Sequence, residues 1–439
     1  MYGKKKIFAK KSSLKIRGKR MKINRKNIIK NNICEYFNEI KEENINLYIK
    51  VIFIVIIIIF LIFIKTKSKR EFKRMTIPNI AFRPRKNFTK ISLDEAVNNF
   101  KKYLNICKND SFINKEVFVK QEEPIISAII PVYNSQETIK LAIRSIQNQD
   151  MKNIEIILVN DLADNNTTKI IEDLKKEDPR IKIIYNEKKL ATLHSRCIGI
   201  LAAKGRYIIF VDSDDMFCDK DVFDILYDET EAEKYEIISF LAFENFGNIY
   251  RDVPTTVKTN KHIMTGHQPD IGIYPSSPNN PIYQNNALIW GKMIKTFPFK
   301  EAVNKFGKER YSKDIKWSDD TTLFFMSCTT AQSYKYIEKY GIFHYVSHKS
   351  TTSSMKKSEK MFGEVFNLDT SFDFSKNEYK NFTFYKLLMM KTWDHFTLED
   401  EKITDYFKSV IKKILNSKYI EVKYKSQIRE AYRGYNLIE

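Results

Sequence analysis

The sequence predicts an α/β fold with a mostly parallel central sheet, and two observations indicate it. Between Pro124 and Asp212, short β-branched runs alternate with amphipathic segments of helical length, a pattern that is typical of βαβ units. From about Glu359 onward, aromatic residues recur at helical spacing and indicate a C-terminal helical extension. A third observation adds a membrane segment, because a long apolar run precedes the α/β region.

Changes in composition divide the 439 residues into five parts. The start of the chain is basic and contains the apolar run, whereas the rest is balanced in charge. We predict a basic N-terminal tail over 1–44, a transmembrane anchor over 45–64, a stem over 65–120, an α/β domain over 121–355 and a C-terminal helical region over 356–439.

The α/β domain is predicted to begin with four strands separated by three helices. The first of these helices has one apolar stripe, and Gly205 is a favourable C-terminal cap for the third. The loops after three of the strands then share one rim of the sheet, where ligands of such sheets bind. The predicted strands are 125–132, 154–160, 181–185 and 206–212, the helices are 134–147, 167–177 and 192–205, a short helix is expected over 94–104, and residues 226–310 are expected to be irregular.

The apolar run Ile45–Ile64 is predicted to be a single membrane-spanning helix. Its 20 residues contain one charge, Lys50, and end in 14 uninterrupted apolar residues. As a helix they would span about 30 Å, the thickness of a hydrocarbon core, whereas a core strand of that length is rare. Basic residues flank both ends, so the charge rule gives conflicting orientations. We expect a single-pass protein of the endomembrane system (Golgi or ER), with the orientation left open.

The net charge of +21 does not indicate a nucleic-acid-binding domain. Residues 1–90 hold 25 of the 75 Lys and Arg but only five of the 54 acidic residues. The rest of the chain is therefore nearly neutral, whereas a nucleic-acid-binding domain keeps its basic surface on the folded part. We expect no nucleic-acid partner. A tethered binder of nucleic acid or anionic lipid is an alternative only if its affinity resides in residues 1–90 and falls with salt.

The stretch "RYIIFVDSDDMF" (206–217) ends an apolar strand in three aspartates, Asp212, Asp214 and Asp215. Aspartate is a favoured N-terminal helix cap, and a helical pattern, "DKDVFDIL", follows shortly after. Carboxylate oxygens are also the ligands that Mg2+ and Mn2+ select. Taken alone, the run leaves both interpretations open.

Five motifs in order resemble the family 2 nucleotide-sugar glycosyltransferases, which have the GT-A fold. The resemblance covers about residues 124–350. It implies inverting transfer of one sugar from a nucleoside diphosphate sugar, such as a UDP-sugar, to a glycan, lipid or protein acceptor, with Mn2+ or Mg2+ as the cofactor. The motifs are "ISAIIPVYNSQETIKLAIRSIQNQ", "IEIILVND", "SRCIGILAAKGRYIIFVDSDD", "WGKMI" and "WSDDTTLFF".

The resemblance implies a donor site on the rim of the sheet. Asp214 corresponds to the direct metal ligand, and Asp212 to the acid beside the metal and the ribose. Asp161 corresponds to the acid that hydrogen-bonds the base. Pro131 and Tyr133 correspond to the loop that cradles the base, where an aromatic ring can stack. Ordinary packing in a turn is the alternative for Tyr133.

The pair Asp319–Asp320 in "WSDDTT" resembles the acid pair that supplies the family's catalytic base. An inverting transferase needs one carboxylate to take the proton of the acceptor hydroxyl, and the metal-bound phosphate leaves without an acid. We assign the base to Asp320 and a positioning role to Asp319. A capped helix start before "TTLFF" is the alternative. Arg196 corresponds to an arginine near the donor, with a surface helix position as its alternative.

Departures from the family pattern affect the donor loop. The family's "DDGS" after the second strand is "NDLA" here, and the asparagine expected after Arg196 is Cys197. A catalytically silent sugar-nucleotide-binding protein is therefore the alternative function. No "QxxRW" motif occurs, and one span forms no channel, so we expect a non-processive enzyme. The resemblance implies that Lys292 lies on the acceptor side and that His344 or His348 contacts the phosphates, with a structural role as the alternative for the histidines.

Overall fold

A computed structural model describes the chain from residue 89 onward, with gaps, and these residues belong to one compact unit, Arg85–Glu439. The predicted tail, the anchor over 45–64 and the first part of the stem lie outside the described residues. Within the described ranges, no helix is both long and apolar enough to cross a membrane. Those ranges are 89–110, 115–120, 122–246, 249–253, 288–346, 355–375 and 396–435, with a few positions between 377 and 391 and Leu437.

Helix α1, Leu93–Lys108, is the first described helix and confirms the short helix predicted in the stem. Ser92 caps it, because its hydroxyl accepts a hydrogen bond from the Glu95 N–H at 3.2 Å. On its buried face, the ring of Phe100 stacks on that of Phe343 with 4.3 Å between centroids. The helix therefore packs against the sheet of the α/β domain.

The first half of the sheet is parallel, as predicted. Three of its strands are buried apolar runs covered on both faces, which is why they read as continuous β-branched segments, whereas the edge strand is partly exposed. The strands are β1 (Ile126–Val132), β2 (Ile154–Asn160), β3 (Ile181–Tyr185) and β4 (Tyr207–Phe210), and the crossover helices are α2 (Ile139–Gln147), α3 (Asn165–Glu177) and α4 (Ala191–Ala202). β1 lies between β2 and β4, and β3 pairs with β2.

A second set of elements completes the domain. Its strands are β5 (Met216–Phe217), β6 (Ile237–Phe246), β7 (Ile249–Val253), β8 (Lys292–Lys295) and β9 (Tyr334–His344), and its helices are α5 (Val222–Asp228), α6 (Thr296–Phe306), α7 (Lys308–Tyr311) and α8 (Asp319–Cys328). β8 runs antiparallel to both β4 and β6. β7 is antiparallel to β6 and β5 is antiparallel to β9, whereas β6 and β9 are parallel. Across the described residues the order is β3-β2-β1-β4-β8-β6-β9-β5, with β7 beside β6.

The prediction of a mostly parallel sheet is wrong, because the sheet is mixed. The error arose in residues 226–310, which were expected to be irregular. Their described part instead holds β6, β7, β8 and α6. β6 lacks alternation because most of its residues are covered on both faces, and β8 is only four residues long. Neither strand shows the period-two pattern by which strands are recognised. The antiparallel β8 brings the preceding turn, Ile289–Gly291, to the sheet beside β4.

The C-terminal helical extension is confirmed. Helices α9 (Lys357–Phe374), α10 (Glu401–Asn416) and α11 (Val422–Tyr432) bury a second apolar cluster, and α9 packs against α8. Gly363 permits a close approach, because a Cβ at this position would lie 2.2 Å from the carbonyl oxygen of Trp317. The extension therefore presses on the residues immediately before Asp319.

Gly363→Ala is expected to destabilise the protein by about 1–3 kcal/mol, the usual cost of forcing an extra methyl into packed structure. The measurement is the midpoint of urea or thermal unfolding. Gly434→Ala is the matched control, since a Cβ there meets nothing within 4 Å. A Gly363→Ala protein that unfolds at the wild-type midpoint would show that α9 is not held against Trp317.

Candidate active site

The aspartates of the "DSDD" run follow β4 and do not cap the next helix. Asp215 is fully buried, whereas Asp212 and Asp214 are half-buried. The Asp215 N–H donates to the backbone carbonyl of Asp212 at 3.0 Å and closes a tight turn. The N-terminal cap residue of α5 is Asp221. The capping interpretation of the run is therefore wrong, and its carboxylates serve other partners.

Arg196 on α4 joins this run to the second acid pair. Its Nη2 donates to Asp212 Oδ1 at 2.6 Å. Its Nη1 donates to Asp319 Oδ2 and to Asp320 Oδ1, both at 2.6 Å. The Arg196 side chain is only 2% exposed, so the alternative of a surface position is wrong. The end of β4 and the start of α8, far apart in sequence, thus meet at one guanidinium.

One buried cation faces three carboxylates here, so the cluster carries an excess of negative charge. Burial, aided by the charges of Asp319 and Asp212, outweighs Arg196 and raises the pKa of Asp320 to about 7. Burial also raises the pKa of Asp319. Burial alone would lower the pKa of Arg196, but the three carboxylates raise it. A carboxylate with a raised pKa is a stronger base than an ordinary aspartate.

Asp319 and Asp320 lie in the first turn of α8, as the helix-start alternative expected. The residue before them, Ser318, has a left-handed backbone (φ +63°) and makes no side-chain capping bond. Both carboxylates accept hydrogen bonds from Arg196, and the backbone N–H groups at the helix start also face the Asp319 carboxylate. The Asp320 side chain is 22% exposed against 12% for Asp319. Asp320 is therefore the more accessible of the two to a substrate.

The far end of the aspartate run is tied to the last strand. His344 Nδ1 lies 2.9 Å from Asp215 Oδ1, and the Tyr345 N–H donates to the same oxygen at 3.0 Å. Burial opposes protonation of His344, but the charges of Asp215, Asp212 and Asp214 raise its pKa to about 9. Burial and the charges of Asp215 and Asp212 raise the pKa of Asp214 to about 7. His344 is thus engaged with Asp215, while His348 lies outside the described residues.

The chemistry of Asp212 and Asp214 fits a hard divalent cation. Both offer carboxylate oxygens, and the raised pKa of Asp214 reflects negative charge that a cation would relieve. In the part of the chain that the structure describes, no group of three or more His, Cys, Asp or Glu is arranged to hold a metal ion. Asp212 and Asp214 would supply two ligands, and substrate phosphates commonly supply others at such sites.

The "NDLA" loop after β2 makes its turn without the glycine. Leu162 adopts a left-handed backbone (φ +58°) and is 53% exposed, while Asn160 Oδ1 accepts the Ala163 N–H at 2.7 Å and closes the loop. Asp161 is buried and accepts the Ala191 N–H at 3.0 Å at the start of α4. The same carboxylate also accepts hydrogen bonds from the Asn186 amide at 2.8 Å and from the Leu190 N–H at 3.0 Å.

Tyr133 lies beyond the carboxyl end of β1 and is 44% exposed. The Lys189 ammonium sits 3.5 Å from the centroid of its ring, and Pro131 precedes it within β1. The loop of Tyr133 is joined to the "NDLA" loop, because Asn134 Oδ1 accepts the Asp164 N–H at 2.8 Å. Tyr133 is therefore available for stacking rather than packed into the turn.

Sequence reasoning missed two features of this region. One is Lys189, and the sequence feature that could have indicated it is the lysine pair in "NEKKLA". The other is the turn before β8. There the Trp290 ring stacks on the His344 ring at 5.2 Å between centroids and 16° between planes, and the turn contacts α8, which begins with Asp319 and Asp320. Lys292 is fully buried behind this turn.

Curated relatives that resemble this chain are named as glycosyltransferases. An "Uncharacterized glycosyltransferase EpsJ" of Bacillus subtilis is 27% identical over 222 residues, which are 51% of this chain and 61% of the relative. A Campylobacter jejuni protein named "GalNAc(5)-diNAcBac-PP-undecaprenol beta-1,3-glucosyltransferase" is 38% identical over 93 residues, or 21% of this chain and 30% of the relative. This chain thus spans less than two thirds of the length of either relative.

A solved structure shares the fold. Residues 1–349 of Staphylococcus aureus TarS, crystallised in complex with UDP-GlcNAc, superpose with a TM-score of 0.51 at 14% identity, covering 70% of this chain and 87% of TarS 1–349. That likeness confirms a GT-A-like α/β architecture. Residues 127–289 match the protein family described as Glycosyl transferase family 2. This chain therefore contains a glycosyl transferase family 2 domain on a GT-A-like fold.

Proposed function

We propose that the protein transfers a single sugar from a nucleoside diphosphate sugar to an acceptor hydroxyl, with inversion, with a divalent cation and without processivity. The observation that carries this proposal is the contact of Arg196 with Asp212 on one side and with Asp319 and Asp320 on the other. It supports the proposal because Asp320, the candidate base, and Asp212, a candidate metal ligand, bind the same guanidinium. The family match over residues 127–289 supports the same chemistry.

In this proposal Asp320 takes the proton of the acceptor hydroxyl as that oxygen attacks the anomeric carbon. One carboxylate is enough, because the diphosphate leaves without protonation. The pKa of Asp320, raised to about 7, suits a general base at neutral pH. Arg196 holds the carboxylate in place, and Asp319 in turn holds Arg196.

Asp214 and Asp212 would hold Mn2+ or Mg2+ against the diphosphate of the donor. The ion, when bound, supplies Lewis-acid stabilisation of the leaving phosphate. Asp215 contributes by position, because its bonds to His344 and Tyr345 fix the turn that carries Asp214.

We propose a UDP-sugar as the donor. Tyr133 presents an accessible ring for the base, beside Pro131 and Lys189. Asp161 supports this pocket through the loop that it closes at the start of α4. The acceptor is proposed to be a glycan, a lipid or a protein.

A catalytically silent binder of sugar nucleotides is the second candidate. The observation that favours it is the engagement of Asp320 by Arg196, since a base must release its partner or share it with the acceptor. Turnover of UDP-sugars by the purified protein with Mn2+ separates the candidates. A silent binder is stabilised by the donor but releases no UDP.

We also propose that residues 45–64 anchor the protein in an endomembrane, in the Golgi or the ER. The support is the length and continuity of the apolar run.

Asp320→Asn is expected to lower sugar transfer by about 100-fold or more, because an amide cannot accept the acceptor proton. Donor affinity should barely change, and Asp319→Asn should cost less transfer. Transfer rates and donor dissociation constants are to be measured for both variants. Asp314→Asn is the control, since Asp314 lies close to the acid pair in the sequence but its side chain is 57% exposed. Near wild-type transfer by Asp320→Asn would place the base elsewhere.

Asp214→Asn is expected to weaken Mn2+-dependent binding of the donor while the fold survives, because one ligand oxygen is lost. Thermal stabilisation by UDP with and without Mn2+ measures this. Asp219 lies after β5 and faces Lys339, so Asp219→Asn is the control. Stabilisation of this variant by UDP should still depend on Mn2+. An unchanged metal effect in Asp214→Asn would contradict the proposed site.

Carbonate extraction is expected to leave the full-length protein in the membrane fraction and to release a chain that begins at residue 75. The reason is that the apolar run is the proposed anchor and is missing from the shorter chain. A full-length protein that washes into the supernatant would contradict the anchor.

A further inference from the structure

The turn Ile289–Gly291 contacts both halves of the candidate site. The turn contacts α8, the helix that begins with Asp319 and Asp320, and the Ile289 N–H faces the Asp320 carboxylate and partly offsets the rise in its pKa. The next ring, Trp290, stacks on His344, and His344 is bonded to Asp215 of the aspartate run. A shift of this turn would therefore move Ile289, which lies beside the candidate base, and would also disturb His344, which supports the aspartate run.

Lys292 follows the turn as the first residue of β8, and its side chain folds back onto it. Its Nζ donates to the carbonyl oxygen of Leu288 at 2.7 Å. The same atom lies 4.4 Å from the centroid of the Phe324 ring on α8, the helix that begins with Asp319 and Asp320. Lys292 is thus in contact with both the turn and the helix that carries the base.

A fully buried lysine is costly, since burial disfavours its charged form. Lys292 is 0% exposed, and burial lowers its pKa to about 7, although Cys328 and Asp320 oppose this shift. An apolar side chain of similar length would fill the same space without that cost. The hydrogen bond to the Leu288 carbonyl oxygen is an interaction that an apolar side chain could not make.

We propose that Lys292 is a positioning residue for sugar transfer, which fixes the turn Leu288–Gly291 so that the Ile289 N–H holds Asp320 in its reactive placement. This inference rests on the proposed function. Lys292 acts through the backbone of the turn and touches neither donor nor acceptor.

Two neutral variants of equal side-chain length separate the hydrogen bond from packing. Gln and Met both extend four heavy atoms beyond Cα, but only Gln can donate to the Leu288 carbonyl. Lys292→Met is expected to lower kcat about 100-fold, the scale of a small misplacement of a reacting group, with an unchanged dissociation constant for UDP. Lys292→Gln is expected to recover most of that loss.

Lys339→Met is the matched control for removing a buried lysine from the sheet. Lys339 is 7% exposed and pairs with Asp219 and Asp221, away from the turn. The Lys339→Met variant should be less stable than the wild type but keep its kcat. Hydrogen exchange of the Ile289 amide provides a readout independent of activity, and it should be faster in Lys292→Met than in Lys292→Gln.

Wild-type kcat in Lys292→Met, or equal losses in the Met and Gln variants with intact folds, would overturn the inference. If the wild-type protein transfers no sugar, the proposed function fails and the exchange measurement decides about Lys292. Unchanged exchange at Ile289 in Lys292→Met would then show that Lys292 does not fix the turn, whereas faster exchange that Gln restores would show that it does.

Discussion

The buried guanidinium of Arg196 is the interaction on which the rest of the site depends. Asp212, Asp319 and Asp320 come from two distant parts of the chain, and their charges would repel one another in a buried space without a shared cation. Removing one partner of a buried ion pair typically costs about 3–5 kcal/mol. Loss of Arg196 would thus release three carboxylates at once. Burial, aided by the charges of Asp319 and Asp212, raises the pKa of Asp320 to about 7.

The parallel half of the fold was predictable because its signal is local. Strands β1 to β4 are short apolar runs, buried except at the edge strand β3, and helices separate them, so a short window reveals each one. The other half depends on contacts between distant residues. β8 is only four residues long and has a buried lysine, Lys292, and β6 is covered on both faces. Tertiary context therefore decides these strands, and the sequence pattern does not show their direction.

The site was predictable in its residues more than in their arrangement. Motif order and spacing selected Arg196, the "DSDD" run and Asp319–Asp320, but not the bonds that join them. Asp161 illustrates the limit, since its carboxylate accepts backbone N–H groups at the start of α4. The partners of a carboxylate depend on which loops lie beside it after folding. Lys189 escaped prediction for the same reason, because nothing local shows that it covers Tyr133.

Backbone strain marks the same rim independently of side-chain chemistry. Among the described residues, seven non-glycine positions have positive φ. Three of them, residues 231–233, form one stretch, and the other four are Asn134, Leu162, Ala191 and Ser318. Each of these four lies in a loop that carries or borders a candidate site residue. A left-handed backbone costs about 1–2 kcal/mol per non-glycine residue, so surrounding bonds must hold it. Asp161 does this at Ala191 by accepting its N–H. Backbone strain is often concentrated at functional sites. Here Ser318 precedes the acid pair that Arg196 binds, and the other three positions border Tyr133 and Asp161.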